Sequence, residues 1–224
     1  MAHLILARHA QASFGAADYD RLSERGEQQA RWLGEYLLNR ELQISRVVTG
    51  TLVRQRDTAR HVLQAMGNPA VPVSEDGGLN EYLAEGIVRA HLGESDPAEL
   101  QRRDYREYWR MFRSAMSAWS EDRLPDAPES WQQFGDRVNG ALARAVAGAG
   151  RDECILVISS GGAIGRAIAD LLHAPAATAI ELNLQFRNSA FCELIVGRDR
   201  IRVVSTNNIP HLDTSDRRAF ITAA

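Results

Sequence analysis

The chain has 224 residues, 45% of them hydrophobic and 25% charged, with a formal net charge of −3. This is the composition of a globular chain able to bury a substantial core, and it lacks the basic excess that marks partners of nucleic acid or anionic membranes. Its two cysteines, Cys154 and Cys192, lie inside the apolar runs ECILVIS and AFCELIVG, so no disulfide framework is expected and a reducing, cytoplasmic setting fits. The amino-terminal MAHLILARHA is too short and too soon charged for a signal peptide or a membrane span.

In chain order, the run His3–Ala7 reads as a short central strand that opens onto a polar loop, Gln11–Asp20. Ser23 is placed to cap a helix whose Ala30, Leu33, Leu37 and Leu38 share a face and which ends near Arg40. A strand over Arg46–Thr49 follows, then Thr51 as the expected cap of a helix burying Thr58, Ala59, Val62, Leu63 and Met66, closed by Gly67 and Pro69. Strands alternating with helices predict a mostly parallel sheet. Residues 83–128 break the alternation with mixed charges and aromatics, and are read as one or two helices inserted over the sheet. Tyr105, Tyr108, Trp109, Phe112 and Trp119 recur there near helical spacing, which favours core packing over a substrate box. Ser130 then starts a helix burying Trp131, Phe134, Val138, Leu142 and Ala145, followed by a strand over Cys154–Ser159. Gly161-Gly162 lead into a helix with Ile164, Ala167, Ile168, Leu171 and Leu172 inward, and Pro175 lies beyond its end. Ala190–Val196 and Ile201–Ser205 form an antiparallel hairpin across Gly197-Arg198-Asp199-Arg200. The expectation is one α/β domain over residues 1–224: a three-layer sandwich on a mostly parallel sheet with an antiparallel edge strand, and 83–128 as a helical cap.

Open α/β sheets bind ligands beyond the carboxyl ends of their strands. Reactive residues at such ends are Arg8-His9, the Gly50–Arg54 segment, Asn80-Glu81 after Leu79, and Ser159-Ser160-Gly161-Gly162. The other histidines fit ordinary roles: His61 and His173 on helices, His3 in the first strand and His91 in the insertion.

Taken together and in order, these segments resemble the histidine phosphatase (phosphoglycerate-mutase-like) superfamily. Arg8-His9-Ala10 in LILARHAQAS is similar to its Arg-His-Gly hallmark. LSERGEQQA is similar to its Leu-Thr/Ser, Gly, Gln-Ala segment, and TGTLVRQRDTA to the segment carrying a second arginine, here Arg54. Leu79-Asn80-Glu81 resembles its acid-bearing Leu-x-Glu, and ILVISSGGAIGRAI its second-histidine segment. The matches run from residue 4 to about residue 172; each motif is common alone, and the ordered set is specific.

The resemblance implies a phosphomonoesterase with His9 as nucleophile, Arg8 and Arg54 on the phosphoryl oxygens, and Glu81 as the acid that protonates the leaving group and then serves as base toward water. It implies no cofactor and no metal, and the sequence shows no His/Cys/Asp cluster at ligand spacing. The substrate is expected to be a small phosphorylated metabolite or a phosphorylated protein side chain. Two departures stand out. Ala10 replaces the usual glycine, and Ser160 occupies the position where the family usually has its second histidine. A serine hydroxyl and the Gly161-Gly162 backbone at a helix start still offer donors to an anion, but a positive charge is lost, and lower turnover is expected. His211, in NNIPHL, resembles a terminal His-Leu pair of many members and is a candidate supporting residue. The rival readings are a mutase, in which the phosphohistidine returns its group to the substrate, and a phospholigand-binding module in which turnover is incidental.

Overall fold

The structure is a computed structural model and describes residues 1–13, 20–93 and 104–223, with nothing stated of the Tyr105 side chain. Among the described residues it is built on six strands: β1 (Ala2–Arg8), β2 (Ile44–Thr49), β3 (Val73–Glu75), β4 (Cys154–Ser159), β5 (Phe191–Val196) and β6 (Ile201–Asn208). Their order is β3-β2-β4-β1-β5-β6, with β1, β2, β3 and β4 mutually parallel and β5 antiparallel to both β1 and β6. The expected hairpin therefore closes one side of an otherwise parallel sheet. β1 and β4 read as continuous apolar runs because both of their faces are covered. Leu4, Leu6, Ile155 and Val157 pack into one core, while Ile5, Ala7, Leu156 and Ile158 pack into the other.

Helices α1 (Glu24–Asn39) and α2 (Val53–Ala65) cover the second of these faces. Helices α3 (Ala84–Leu92), α4 (Tyr105–Ser120), α5 (Trp131–Val146), α6 (Gly161–Leu171) and α7 (Ala176–Gln185) lie on the first. The result is the three-layer α/β sandwich. Ser23 caps α1 as expected, its Oγ accepting the Gly26 N–H at 3.0 Å. Leu38, expected inward, is 46% exposed because the buried stripe runs through Gln29, Ala30, Leu33 and Leu37. Leu172, also expected inward, lies past the end of α6 and is exposed. Two elements carried no clear signal. β3 has three exposed residues and joins the sheet by backbone pairing to β2, and α7 buries only Ala179 and Ile180.

Within the expected insertion, α3 and α4 are the described helices; residues 94–103 lie outside the described residues, as do 14–19 of the first loop. Phe112 and Trp119 are buried, and Tyr108 and Trp109 pack against the same core. Trp119 and Phe134 flank the Tyr82 ring at 5.2 and 5.6 Å between centroids. That packing pins the chain one residue after Glu81.

Candidate active site

The site assembles where β1, β2 and β4 end. The parallel register sets Arg8 beside Ser159 and Thr49 beside Ile158, so the segments leaving all three strands start from the same end of the sheet. His9 is buried. Its N–H donates to the Ser159 carbonyl at 2.8 Å, and its own carbonyl accepts the Ser189 N–H at 3.2 Å. The imidazole is oriented from both sides. Nδ1 lies 2.8 Å from the Ala10 carbonyl, which can only accept, so Nδ1 carries the proton; Nε2 then holds its lone pair and accepts from Arg54 Nε at 3.1 Å. Burial pushes the His9 pKa well down, and the Arg8 and Arg54 charges push it further, against a smaller rise from the Ala10 carbonyl. His9 is thus a neutral imidazole near pH 7, with Nε2 beside guanidinium.

Arg54 sits in the first turn of α2. Its Nη1 pairs with Asp20 Oδ1 at 2.6 Å, while Asp20 Oδ2 accepts the Val53 N–H at 2.7 Å. Asp20 therefore performs the helix-capping task expected of Thr51, across a gap of 33 residues that no local pattern reveals. Thr51 instead exchanges two hydrogen bonds with the Asn80 side chain, at 2.8 and 2.7 Å. Arg8 is buried, with Nη1 donating to the Phe186 carbonyl. A Cβ at Gly161 would lie 2.9 Å from Asn183 Oδ1 and 3.5 Å from Arg8 Nε, so a bare glycine lets both side chains approach the start of α6.

Glu81 faces that same helix start. Its Oε2 accepts the Gly162 N–H at 2.9 Å and its Oε1 the Tyr82 N–H at 3.2 Å. Burial raises its pKa, opposed by the Gly162 bond and by the Arg8 and Arg54 charges. A Cβ at Gly162 would fall 2.3 Å from both Glu81 Oε1 and the Tyr82 ring, so the position tolerates no side chain without displacing one of them. Arg137 anchors the segment from behind, donating to the Gly78 and Asn80 carbonyls at 3.0 and 2.7 Å while paired with Glu129.

Ser160 is fully buried at the N-cap of α6, and its Oγ accepts from Gln55 Nε2 at 2.9 Å. His211 stands further back. It is buried near Tyr36 and Phe191, with Nε2 2.8 Å from Ser189 Oγ, and burial lowers its pKa to about 3. Ser189 links it to His9, since the Ser189 N–H holds the His9 carbonyl.

The structure thus gathers Arg8, His9, Arg54, Glu81, Ser160 and Gly161 at one end of the sheet and sets His211 behind them. Sequence reasoning missed Asp20, Gln55, Tyr82, Arg137 and Ser189. Gln55 alone had a readable signal: with Thr58, Ala59 and Val62 it completes the i, i+3, i+4, i+7 stripe of α2, and a polar residue on a buried stripe is informative.

A family model described as "Histidine phosphatase superfamily (branch 1)" matches residues 4–209. The chain belongs to the histidine phosphatase superfamily. Among curated relatives, a Citrobacter koseri protein named "Probable phosphoglycerate mutase GpmB" is 30% identical over 194 residues, covering 84% of this chain and 82% of that one. Among solved structures, Bacillus stearothermophilus YhfR superposes with a TM-score of 0.69 at 19% identity, over 94% of this chain and 99% of that one. The alpha-ribazole phosphatase of Shigella flexneri gives 0.64 at 24%, over 92% and 96%. The superfamily therefore supports an enzyme of phosphatase or mutase type, and the fold is the one these neighbours share. Among the described residues no helix is long and apolar enough to cross a membrane.

Proposed function

We propose that this protein hydrolyses phosphomonoesters of small metabolites through a phosphohistidine formed at His9 Nε2. The observation that carries the reading is the fixed tautomer of His9: a lone pair on Nε2, secured by the Nδ1 bond to the Ala10 carbonyl, beside Arg54. In the first step the N–P bond forms as the ester P–O bond breaks, and the departing alkoxide takes the proton of the Glu81 carboxyl. In the second, Glu81 carboxylate takes a proton from water, the hydroxide oxygen bonds to phosphorus, and the N–P bond breaks to release phosphate and neutral His9. Arg8, Arg54, the Ser160 hydroxyl and the Gly161 N–H at the start of α6 are assigned to the phosphoryl oxygens, whose charge spreads in the transition state. With a hydroxyl instead of an imidazolium at Ser160, slow turnover is expected. Substrate selection is assigned to residues 83–128. The metabolite class is supported by relatives named for phosphoglycerate and alpha-ribazole.

The test is a rapid quench at alkaline pH, where phosphohistidine survives, after mixing with a 32P-labelled ester. Label is expected on His9, and His9→Ala should abolish both label and turnover at unchanged Tm. Label on a serine or carboxylate overturns the assignment. The 30% identity to a protein named as a phosphoglycerate mutase favours a second reading, in which phospho-His9 returns its group to another hydroxyl of the same substrate. Phosphorus NMR of a phosphoglycerate incubation separates the two, since a mutase yields the positional isomer and a phosphatase yields inorganic phosphate.

A further inference from the structure

Gln55 follows Arg54 on α2 and is fully buried. Its carboxamide is held by two backbone groups of fixed role. Oε1 accepts the Leu52 N–H at 3.3 Å, and Nε2 donates to the Leu79 carbonyl at 3.1 Å. An N–H can only donate and a carbonyl can only accept, so the amide cannot be flipped. The other Nε2 proton therefore points at Ser160 Oγ, 2.9 Å away, and the Ser160 hydroxyl is the acceptor. Its own proton must be directed elsewhere, and none of the described residues accepts it. Ser159 does not compete, because its Oγ already donates to the Leu79 carbonyl at 2.6 Å. Ser160 sits one residue past the carbonyl that holds the His9 N–H, and it precedes Gly161, which lies against Arg8.

We infer that Gln55 is a positioning residue for phosphoryl transfer: by donating to Ser160 Oγ it fixes the serine hydroxyl as a donor aimed at a phosphoryl oxygen beside His9. The inference rests on the phospho-His9 reading for its location. A hydroxyl is ordinarily a free rotor, and a rotor must be ordered at the moment of reaction; one whose lone pair is already engaged presents its proton without that cost, which is the advantage of preorganised donors. The pair Gln55–Ser160 gives a neutral chain of hydrogen bonds where a charged donor is absent.

The experiment is a double-mutant cycle on inorganic phosphate affinity, measured by calorimetry on the full chain with Gln55→Met, Ser160→Ala and the double variant. Each single change is expected to weaken binding by about three- to tenfold, and the double variant should be no more than about twofold weaker than Ser160→Ala. Losses that multiply overturn the inference, since a merely structural Gln55 acts independently of the Ser160 hydroxyl. If Gln55→Met does not fold, the side-chain amide resonances of Gln55 decide: they should hold still when phosphate is added to the parent protein, and one should move upfield in Ser160→Ala. Resonances that shift with phosphate as far as they do in Ser160→Ala mean that the hydroxyl turns away from Gln55, which also overturns it. Phosphate titration requires no turnover. Absence of His9-dependent hydrolysis therefore sinks the phosphatase reading while leaving the cycle to be judged separately.

Discussion

At the scale of single residues, two titratable groups are shifted in opposite directions by their surroundings. Burial and two guanidinium groups hold His9 neutral, while burial raises Glu81 despite the same two cations. The difference arises because neighbouring positive charge destabilises an imidazolium but stabilises a carboxylate, leaving desolvation to decide the second case alone. Both shifts favour a neutral nucleophile beside a protonated acid, the arrangement the proposed chemistry requires. Activity on alkyl phosphates should fall as pH rises through the raised Glu81 pKa, because the acid is then spent. Glu81→Gln should remove that limb and slow alkyl phosphates by about 10²-fold or more, while aryl phosphates with good leaving groups lose far less. Equal losses on both substrate classes, read from kcat/KM, would assign Glu81 to binding instead.

At the scale of elements, the start of α2 shows how one carboxylate couples fold and site. Asp20 caps the Val53 N–H and pairs with Arg54, which in turn donates to His9. Asp20→Ala should cost about 1 kcal/mol of stability through the lost cap and should lower kcat/KM by freeing Arg54 from its orientation. Asp20→Asn keeps an oxygen for the cap while removing the charge, so its melting temperature should lie closer to the parent's and its activity loss should persist. Identical melting temperatures for the alanine variant and the parent contradict the capping role. The start of α6 is organised differently. Ser160 is its N-cap residue but makes no side-chain cap bond, and the Gly162 N–H is taken by Glu81. The helix terminus and its favourable field for negative charge are thus directed into the site.

At the scale of the whole molecule, buried neutral histidines make stability depend on pH. His211 has a folded pKa of about 3 against 6.5 unfolded. Above pH 6.5 both states are neutral and the contribution is full; as pH falls from 6.5 toward 3 only the unfolded chain takes up the proton, so stability drops by about 1.4 kcal/mol per pH unit for each such group. His9 and His61, both lowered, act in the same direction. Glu81, raised, opposes them between its unfolded value of 4.5 and its folded one. Urea unfolding at pH 7, 6 and 5 should show the decline, and His211→Gln, which can still meet Ser189 Oγ, should flatten it by about one proton. An unchanged slope in that variant means that His211 is protonated in the native protein.

The sequence by itself determined the layers, the order of most strands and helices, and the residues gathered at the strand ends, because each of these is written in local patterns. Period-2 and period-3.6 alternation, Ser23 before its helix, and reactive residues where apolar runs stop are all visible within a few neighbours. β3 and α7 were not visible, since one is held by backbone pairing to β2 and the other buries only two side chains. Only the tertiary structure decided the contact of Arg54 with His9 Nε2, the capping of α2 by Asp20, the clamp of Arg137 behind Glu81, and the contact of Gln55 with Ser160 Oγ. Each depends on a hydrogen bond between residues 33 to 105 positions apart, or on a burial that such contacts create. Spacing along a chain carries no record of those partners; the sheet register and the helix packing bring them within bonding distance.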